Sequence, residues 1–511
     1  MQLKSVTISN FRRYASAVTT DFENFTAFIG KNDAGKSTIL EALDIFFNDG
    51  KGCVKLDQND VNVANRQLER PNTDISIGVC FEDLPSEITI DDTNKTTLES
   101  EYLLNDRGQL EIVKVYHNAG KPKVFIRALH PTNPNCAKLS SMNQNELRHL
   151  LNAEGITANQ TRNADMRKAI WAHYSNDLDL KMTDIDITST TLWDKLQRYL
   201  PLYTLFQADR RNTDNDSEVQ DPLKAAVREI LNDEDVSDHL REVAHIVEER
   251  LRAVSVRTLA KLQEMNPDTA KALKLAIPDY TNLKWADVFK SVSITGDNDI
   301  PINKRGSGVK RLVLLNLFRA EVERRQQNCN APSTIYAFEE PETAQHTDNL
   351  IMLISSLLKL SETPNTQIII TTHNANVVLR LHYDNLRLIL NTNEIASIQS
   401  VCRCQLTYPS LNEINYIAFS EISEAYHDEL YAYLKYYKLF DAYKAGKPTR
   451  LYIKVQNNAQ DTEQRVILSE YIRHQIHHPE NTKNPHYTAE ELRKSIEMMR
   501  EFIANHRANQ G

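Results

Sequence analysis

Eight residues near the start of the chain, Gly30-Lys31-Asn32-Asp33-Ala34-Gly35-Lys36-Ser37, constrain the fold more than any other feature. They fit the spacing G-x4-G-K-S/T. Before them lies an apolar run, Phe25-Thr26-Ala27-Phe28-Ile29, and after them Ile39, Leu43 and Phe46/Phe47 recur at helical spacing. A strand must therefore run into a tight glycine turn and out into a helix. The glycines let the backbone wrap closely, and its N–H groups and the helix start attract phosphate oxygens. Lys36 is placed for the β/γ-phosphates and Ser37 for Mg²⁺.

The rest of the chain is long enough to build on that unit. Its 511 residues allow about three domains at roughly 150 residues each. A formal charge of −9 rules out a polycation built to coat nucleic acid, so any such contact must use a local basic patch. The six cysteines, at 53, 80, 136, 329, 402 and 404, include no C-x-x-C pair, which points to a reduced, cytoplasmic chain without zinc knuckles. The N-terminal MQLKSVTISNFRRY alternates apolar and polar residues, and no run approaches 18 apolar residues. Neither a signal peptide nor a membrane span is expected.

Leu3, Val6 and Ile8 alternate as in a strand, and Asp74–Phe81, Leu110–Tyr116 and Lys123–Leu129 predict an antiparallel β-layer. From Met142 to Leu200 the pattern is helical and polar. Leu223, Val227, Leu231, Leu240, Val243, Val247 and Leu251 then mark a long charged helical arm between Asp221 and about Leu275. Beyond Phe289, α/β patterning returns. The strand Thr334–Phe338 delivers Glu339-Glu340-Pro341-Glu342, where one acid can hold hydrated Mg²⁺ and the next orient an attacking water. A helix is predicted over Thr347–Leu360. The strand Gln367–Thr371 leads to His373, placed to sense a γ-phosphate. Gly306-Ser307-Gly308, at a predicted helix start, forms a second phosphate cradle.

In this order, P-loop, serine-glycine signature, E-E-P-E Walker B and switch histidine resemble the ABC-type ATPases of the SMC, recombination-repair and OLD kind over residues 1–400. GKNDAGKSTILEALDIFF and EEPETAQH are most similar to the OLD-like ATPases of bacterial anti-phage systems. The resemblance implies an α/β, ABC-type P-loop ATPase head using ATP and Mg²⁺. Nucleotide would be held by Arg12, Gly30, Asn32, Gly35, Lys36, Ser37 and Thr38, metal by Ser37 and Glu339, with Glu340 and His373 catalytic. Gln207 would link the site to the arm. Two heads would sandwich ATP as a homodimer or higher oligomer, with Gly306, Ser307 and Gly308 reaching nucleotide on the other protomer's P-loop. OLD nucleases carry a Toprim domain marked by a D-x-D. None follows His373, which disfavours Toprim cleavage.

The expected parts are 1–140 (first half of the head), 141–288 (helical insertion arm), 289–405 (second half) and 415–511 (all-α C-terminal domain). In the last, Ile422, Tyr426, Leu430 and Leu434 predict a helix over Glu421–Tyr437 with Glu424, His427 and Asp428 on its surface. A second helix runs from about Asp461 to His478, stopped by Pro479. Arg473 and His478 resemble the R-x4-6-H mark of HEPN domains, many of them metal-independent ribonucleases. There histidine relays a proton from a ribose 2′-hydroxyl and arginine stabilises phosphate charge. The leading expectation is an anti-phage ATPase controlling this ribonuclease, with RNA, tRNA included, as substrate. The alternatives are a regulatory ATPase scaffold that restrains a separate effector nuclease or nucleic-acid component, and a DNA-end-binding repair ATPase.

Overall fold

The computed structural model describes residues 1–50, 52–89, 95–188, 190–207, 333–343, 347–392, 395–401, 410–455 and 460–508, with a few positions between 238 and 249. Two sheets build the head. The first is antiparallel, in the order β2-β1-β4-β7-β8-β9. Its strands are β1 (Gln2–Ser9), β2 (Val18–Asp21), β4 (Asp74–Glu82), β7 (Leu110–His117), β8 (Pro122–Pro131) and β9 (Leu180–Asp186). The short pair β5 (Ile88–Thr89) and β6 (Lys95–Thr96) stands apart. The second sheet runs β10-β11-β12-β3-β13-β14, from β10 (Leu202–Phe206), β11 (Thr334–Glu339), β12 (Thr366–Thr372), β3 (Phe25–Ile29), β13 (Leu386–Thr392) and β14 (Ile395–Ser400). Only its β13/β14 edge pair is antiparallel.

The helix Lys36–Asn48 lies between the sheets and is buried over most of its length, the polar Lys36, Thr38 and Asp44 included. Tyr203 on β10 donates to Leu40 O (2.7 Å) from one side. From the other, the buried Lys114 on β7 donates to Phe46 O (2.7 Å) and pairs with Asp49, satisfying carbonyl and charge at the helix end. Strands β3 and β12 are buried along their whole length, hence the apolar runs Ala27-Phe28-Ile29 and Ile368-Ile369-Ile370 within them.

Strands β9 and β10 belong to these two sheets, so the first half of the head extends to 206 instead of ending at 140. The expected helical stretch before Leu200 does contain the helices Gln144–Ala153 and Asn163–His173, packed in a small core with Trp171 and Leu147. A buried bidentate pair, Arg167 Nε to Glu101 Oε2 (2.7 Å) and Nη2 to Oε1 (2.9 Å), fastens them to the head. Strand β9 carries little sequence signal because it is a largely exposed edge strand, with only Thr183 and Ile185 half-buried. The chain divides into two compact units, and Asp209–Cys329 falls in the second. Most of the predicted arm therefore lies outside the described residues; within it, Asp238, His239, Glu242, Val243, His245, Ile246 and Glu249 are helical and exposed.

The C-terminal region is not all-α. Helices Leu411–Phe419, Glu424–Tyr436, Phe440–Lys444, Leu468–His477 and Ala489–Ala508 surround a core of Tyr426, Leu430, Leu434, Ile472, Ile496 and Met499. A hairpin, β15 (Thr449–Lys454) with β16 (Thr462–Ile467), is set among them. Residues 462–467, expected as the start of the second helix, are instead a strand, because β-branched Thr462, Val466 and Ile467 pair with Thr449–Lys454. Asn484 covers the other side of β15, accepting from Ile453 N and donating to Ile453 O (both 2.8 Å). The helix then starts at Leu468 and ends at His477, before Pro479 as expected. His427 is buried and not on the surface, because it falls on the same helical stripe as Leu430, Tyr431 and Leu434.

Candidate functional sites

Parallel pairing brings three carboxyl ends together. Ile29, the last residue of β3, pairs with Thr372 at the end of β12, and Thr371 pairs with Glu339 at the end of β11. The glycine loop, the acidic run and His373 therefore emerge at the same end of the sheet, although the sequence puts about 300 residues between the loop and the other two.

The loop requires its glycines. Gly30 has φ +156°, and a Cβ there would sit 2.6 Å from Ile389 O. Gly35 has φ +105°, with the Tyr14 hydroxyl 3.3 Å from where a Cβ would be; that hydroxyl donates to Gly35 O (3.1 Å). Gly35 is the N-cap of the helix and carries no capping side chain, so the first-turn N–H groups of Lys36, Ser37 and Thr38 are presented for an anion. Lys36 is buried and donates to Gly30 O and Lys31 O (both 3.0 Å), using two of its three ammonium hydrogens. Burial pulls its pKa down, while Glu340, Glu342, Asp33 and Glu339 pull it up. Asn32 is exposed at the loop tip.

The acids follow directly. Glu339 ends β11, and Glu340 takes a left-handed conformation (φ 41°), its N–H donating to Thr371 O (3.1 Å) and Thr371 Oγ1 (3.2 Å). The turned carboxylate meets His373: Glu340 Oε1 lies 3.0 Å from its Nδ1. Arg12 approaches the flank of the helix, with Nε on Asp60 Oδ1 (2.8 Å) and Nη1 paired with Glu41. Three participants carried no sequence signal of their own: Tyr14 under the loop, Arg13 on Asp33 (3.5 Å) and Glu342 beneath His373. Gln207 directly follows β10 and is half-buried. Gly306, Ser307 and Gly308 lie outside the described residues.

At the C-terminal helix end the structure brings together a different pair from the one the motif suggests. Arg473 Nη1 (3.2 Å) and His477 Nε2 (3.0 Å) converge on Asp428 Oδ1, and Arg473 covers the Tyr431 ring at 4.5 Å. His478 turns to Glu480 Oε1 (3.2 Å). Four residues make about one helical turn, whereas five rotate a side chain roughly 140° off the face. His474 stacks on Tyr452 with ring centroids 4.8 Å apart, and burial lowers its pKa.

A strand, glycine loop and helix beside acids from the end of another parallel strand of the same sheet define a P-loop nucleotide-binding protein. The AAA ATPase domain family matches residues 1–378, and the chain belongs to it. It is also similar to "Endonuclease GajA" of Bacillus cereus (strain HuB5-5), 22% identical over 439 residues, which cover 75% of this chain and 60% of that protein. Among solved structures it resembles an SMC head domain from Thermotoga maritima (14% identity, TM-score 0.33, 79% of this chain and 100% of that one). A second is an SMC head bound to the C-terminal winged-helix domain of ScpA (14%, TM-score 0.39, 78% and 98%). Among the described residues no helix is long and apolar enough to cross a membrane.

Proposed function

We propose that the chain hydrolyses ATP at the Gly30–Thr38 loop and that the cycle governs its C-terminal helical region in cytoplasmic defence against phage. The observation that carries the hydrolytic part is the 3.0 Å contact between His373 and Glu340, at adjoining strand ends beside Lys36. Glu340 Oε1 orients the attacking water and takes its proton, while His373 holds that carboxylate in line and meets the γ-phosphate. Lys36 and the first-turn N–H groups hold the phosphates, and the leaving oxygen departs on ADP. A Mg²⁺ ion with the phosphates would add charge stabilisation. Ser37 on the first turn and Glu339 at the neighbouring strand end fit it, because such an ion takes most of its ligands from phosphate and water. Gly306, Ser307 and Gly308 of a second copy would close the site in a dimer.

Coupling to the C-terminal region is supported by a short route. Asn374 caps the helix Ala375–Val378 directly after His373, and Asn415 donates to Ala375 O (3.3 Å). Glu413, on the same helix as Asn415, holds Arg500 by two hydrogen bonds (2.6 and 3.0 Å). The governed activity is read as metal-independent RNA cleavage, with Arg473 stabilising phosphate charge and a histidine at the helix end relaying the proton. The relative's name gives endonuclease activity to that protein, of which this chain spans about 60%. A second reading is favoured by the divergence of Arg473 and His478: a regulatory ATPase that restrains a separate effector nuclease.

Lys36→Ala should abolish nucleotide binding, and Glu340→Gln should bind ATP without turning it over. Normal steady-state ATPase in Glu340→Gln would overturn the hydrolytic assignment. Incubating the purified protein with tRNA in EDTA separates the two effector readings, because only the first predicts cleavage without metal.

A further inference from the structure

The third glutamate of the run Glu339-Glu340-Pro341-Glu342 has no role in the hydrolytic chemistry, yet it is the most enclosed acid of the site at 7% exposure. Its Oε1 accepts from the Thr372 hydroxyl (2.6 Å) and the His373 N–H (3.0 Å), and lies 3.6 Å from His373 Nδ1. Thr372 Oγ1 in turn accepts from Asn374 N (3.0 Å), so the whole exit from β12 is laced to one carboxylate. The other oxygen, Oε2, is buried without a hydrogen-bond partner. Burial pushes the Glu342 carboxyl above the usual carboxylate range, with the hydrogen bonds from Thr372 and His373 opposing.

A half-satisfied buried carboxylate is expensive, and an apolar side chain would fill the space more cheaply. What an apolar side chain cannot do is hold the strand exit. His373 is the first residue beyond β12, with a half-exposed ring, so the course of its backbone and of Thr372 decides whether that ring meets Glu340.

We propose that Glu342 is the positioning residue of the nucleotide site, keeping His373 within reach of Glu340 by binding the Thr372 hydroxyl and the His373 N–H. This rests on the hydrolytic roles proposed for Glu340 and His373. Ångström-scale misplacement of a reacting group is sufficient for a large rate loss. Glu342→Leu should therefore lower kcat by about 30-fold while mant-ATP affinity stays within about threefold. Glu342→Gln, whose amide oxygen still accepts both hydrogen bonds, should keep kcat within about threefold. Thr372→Val, which removes one of the two, should lower it by about fivefold. Because Glu342 acts through His373, adding Glu342→Leu to His373→Ala should slow turnover no further.

Wild-type kcat in Glu342→Leu, or joint loss of mant-ATP binding and turnover, overturns the proposal. If Glu342→Leu does not fold, unchanged kcat in Thr372→Val overturns it alone. Normal turnover in both Glu340→Gln and His373→Ala would bring down the hydrolytic reading and the proposal with it. Normal turnover confined to Glu342→Leu removes only the proposal.

Discussion

The two candidate sites reverse the usual relation between sequence distance and spatial distance. In the head, Lys36, Glu340 and His373 come from three remote segments, and parallel register sets their strand ends side by side. In the C-terminal region, Arg473 and His478 stand five apart on one helix end, yet they face different acids, Asp428 and Glu480. A sheet whose strands are buried on both faces converts remote residues into neighbours. A helix separates close residues unless they stand three or four apart. Motif spacing is therefore strong evidence of proximity only when the element that carries it has the matching period.

Gly30→Ala tests the head most severely. The added methyl meets Ile389 O in a rigid sheet, so nucleotide binding should be lost and the head destabilised by roughly 2–4 kcal/mol. Unchanged mant-ATP affinity would show that the loop has room that the geometry denies. Next comes the C-terminal cluster under the ribonuclease reading. Arg473→Ala and His477→Ala should each reduce tRNA cleavage in EDTA about 100-fold or more, with ATPase within about twofold of wild type. If His478→Ala alone abolishes cleavage, motif spacing prevails over helical geometry and the comparison breaks.

A smaller effect concerns pH. Burial pushes the His427 imidazole from its ordinary 6.5 down to about 4, with Asp428 opposing and Arg473 assisting. The neutral ring hydrogen-bonds Ser495 Oγ (2.9 Å), the end of a chain that continues to Ser469 and Tyr443 (2.7 Å each). The folded state thus refuses a proton that the unfolded chain accepts. Stability present above pH 6.5 should fall as pH drops toward 4, by up to about 3 kcal/mol. Amide exchange in Glu424–Tyr436 should report that loss in wild type and a flatter profile in His427→Gln; identical profiles would remove His427 as its source. The smallest change belongs to His478→Ala, whose ion pair with Glu480 is largely exposed. It should alter thermal stability by less than about 0.5 kcal/mol.

The sequence announced whatever was both apolar and periodic. Phe25–Ile29 forms the expected strand to the residue, Thr334–Phe338 gains one residue at its end, and Gln367–Thr371 gains one at each end. The glycine loop was legible because few backbones can make that turn. Strand β9 and the β15/β16 hairpin were not, because one is a largely exposed edge strand and the other is a small pair whose polar residues resemble a helix start. Glu342 escaped because its importance depends on Thr372 and His373, and nothing local in E-E-P-E separates a residue that touches water from one that braces its neighbour.

Sheet order also has a consequence for the ribosome. Strand β3 emerges early, but both strands that flank it, β12 and β13, are encoded more than 330 residues later. At about 5–20 residues per second the strand waits roughly 20 to 70 seconds for its neighbours, while the antiparallel sheet from β1 to β9 can assemble from contacts already synthesised. Arrested nascent chains ending near 365 should therefore fail to retain nucleotide, whereas those exposing residues up to 410 should succeed. Translation itself thus times when this protein first becomes competent to bind nucleotide.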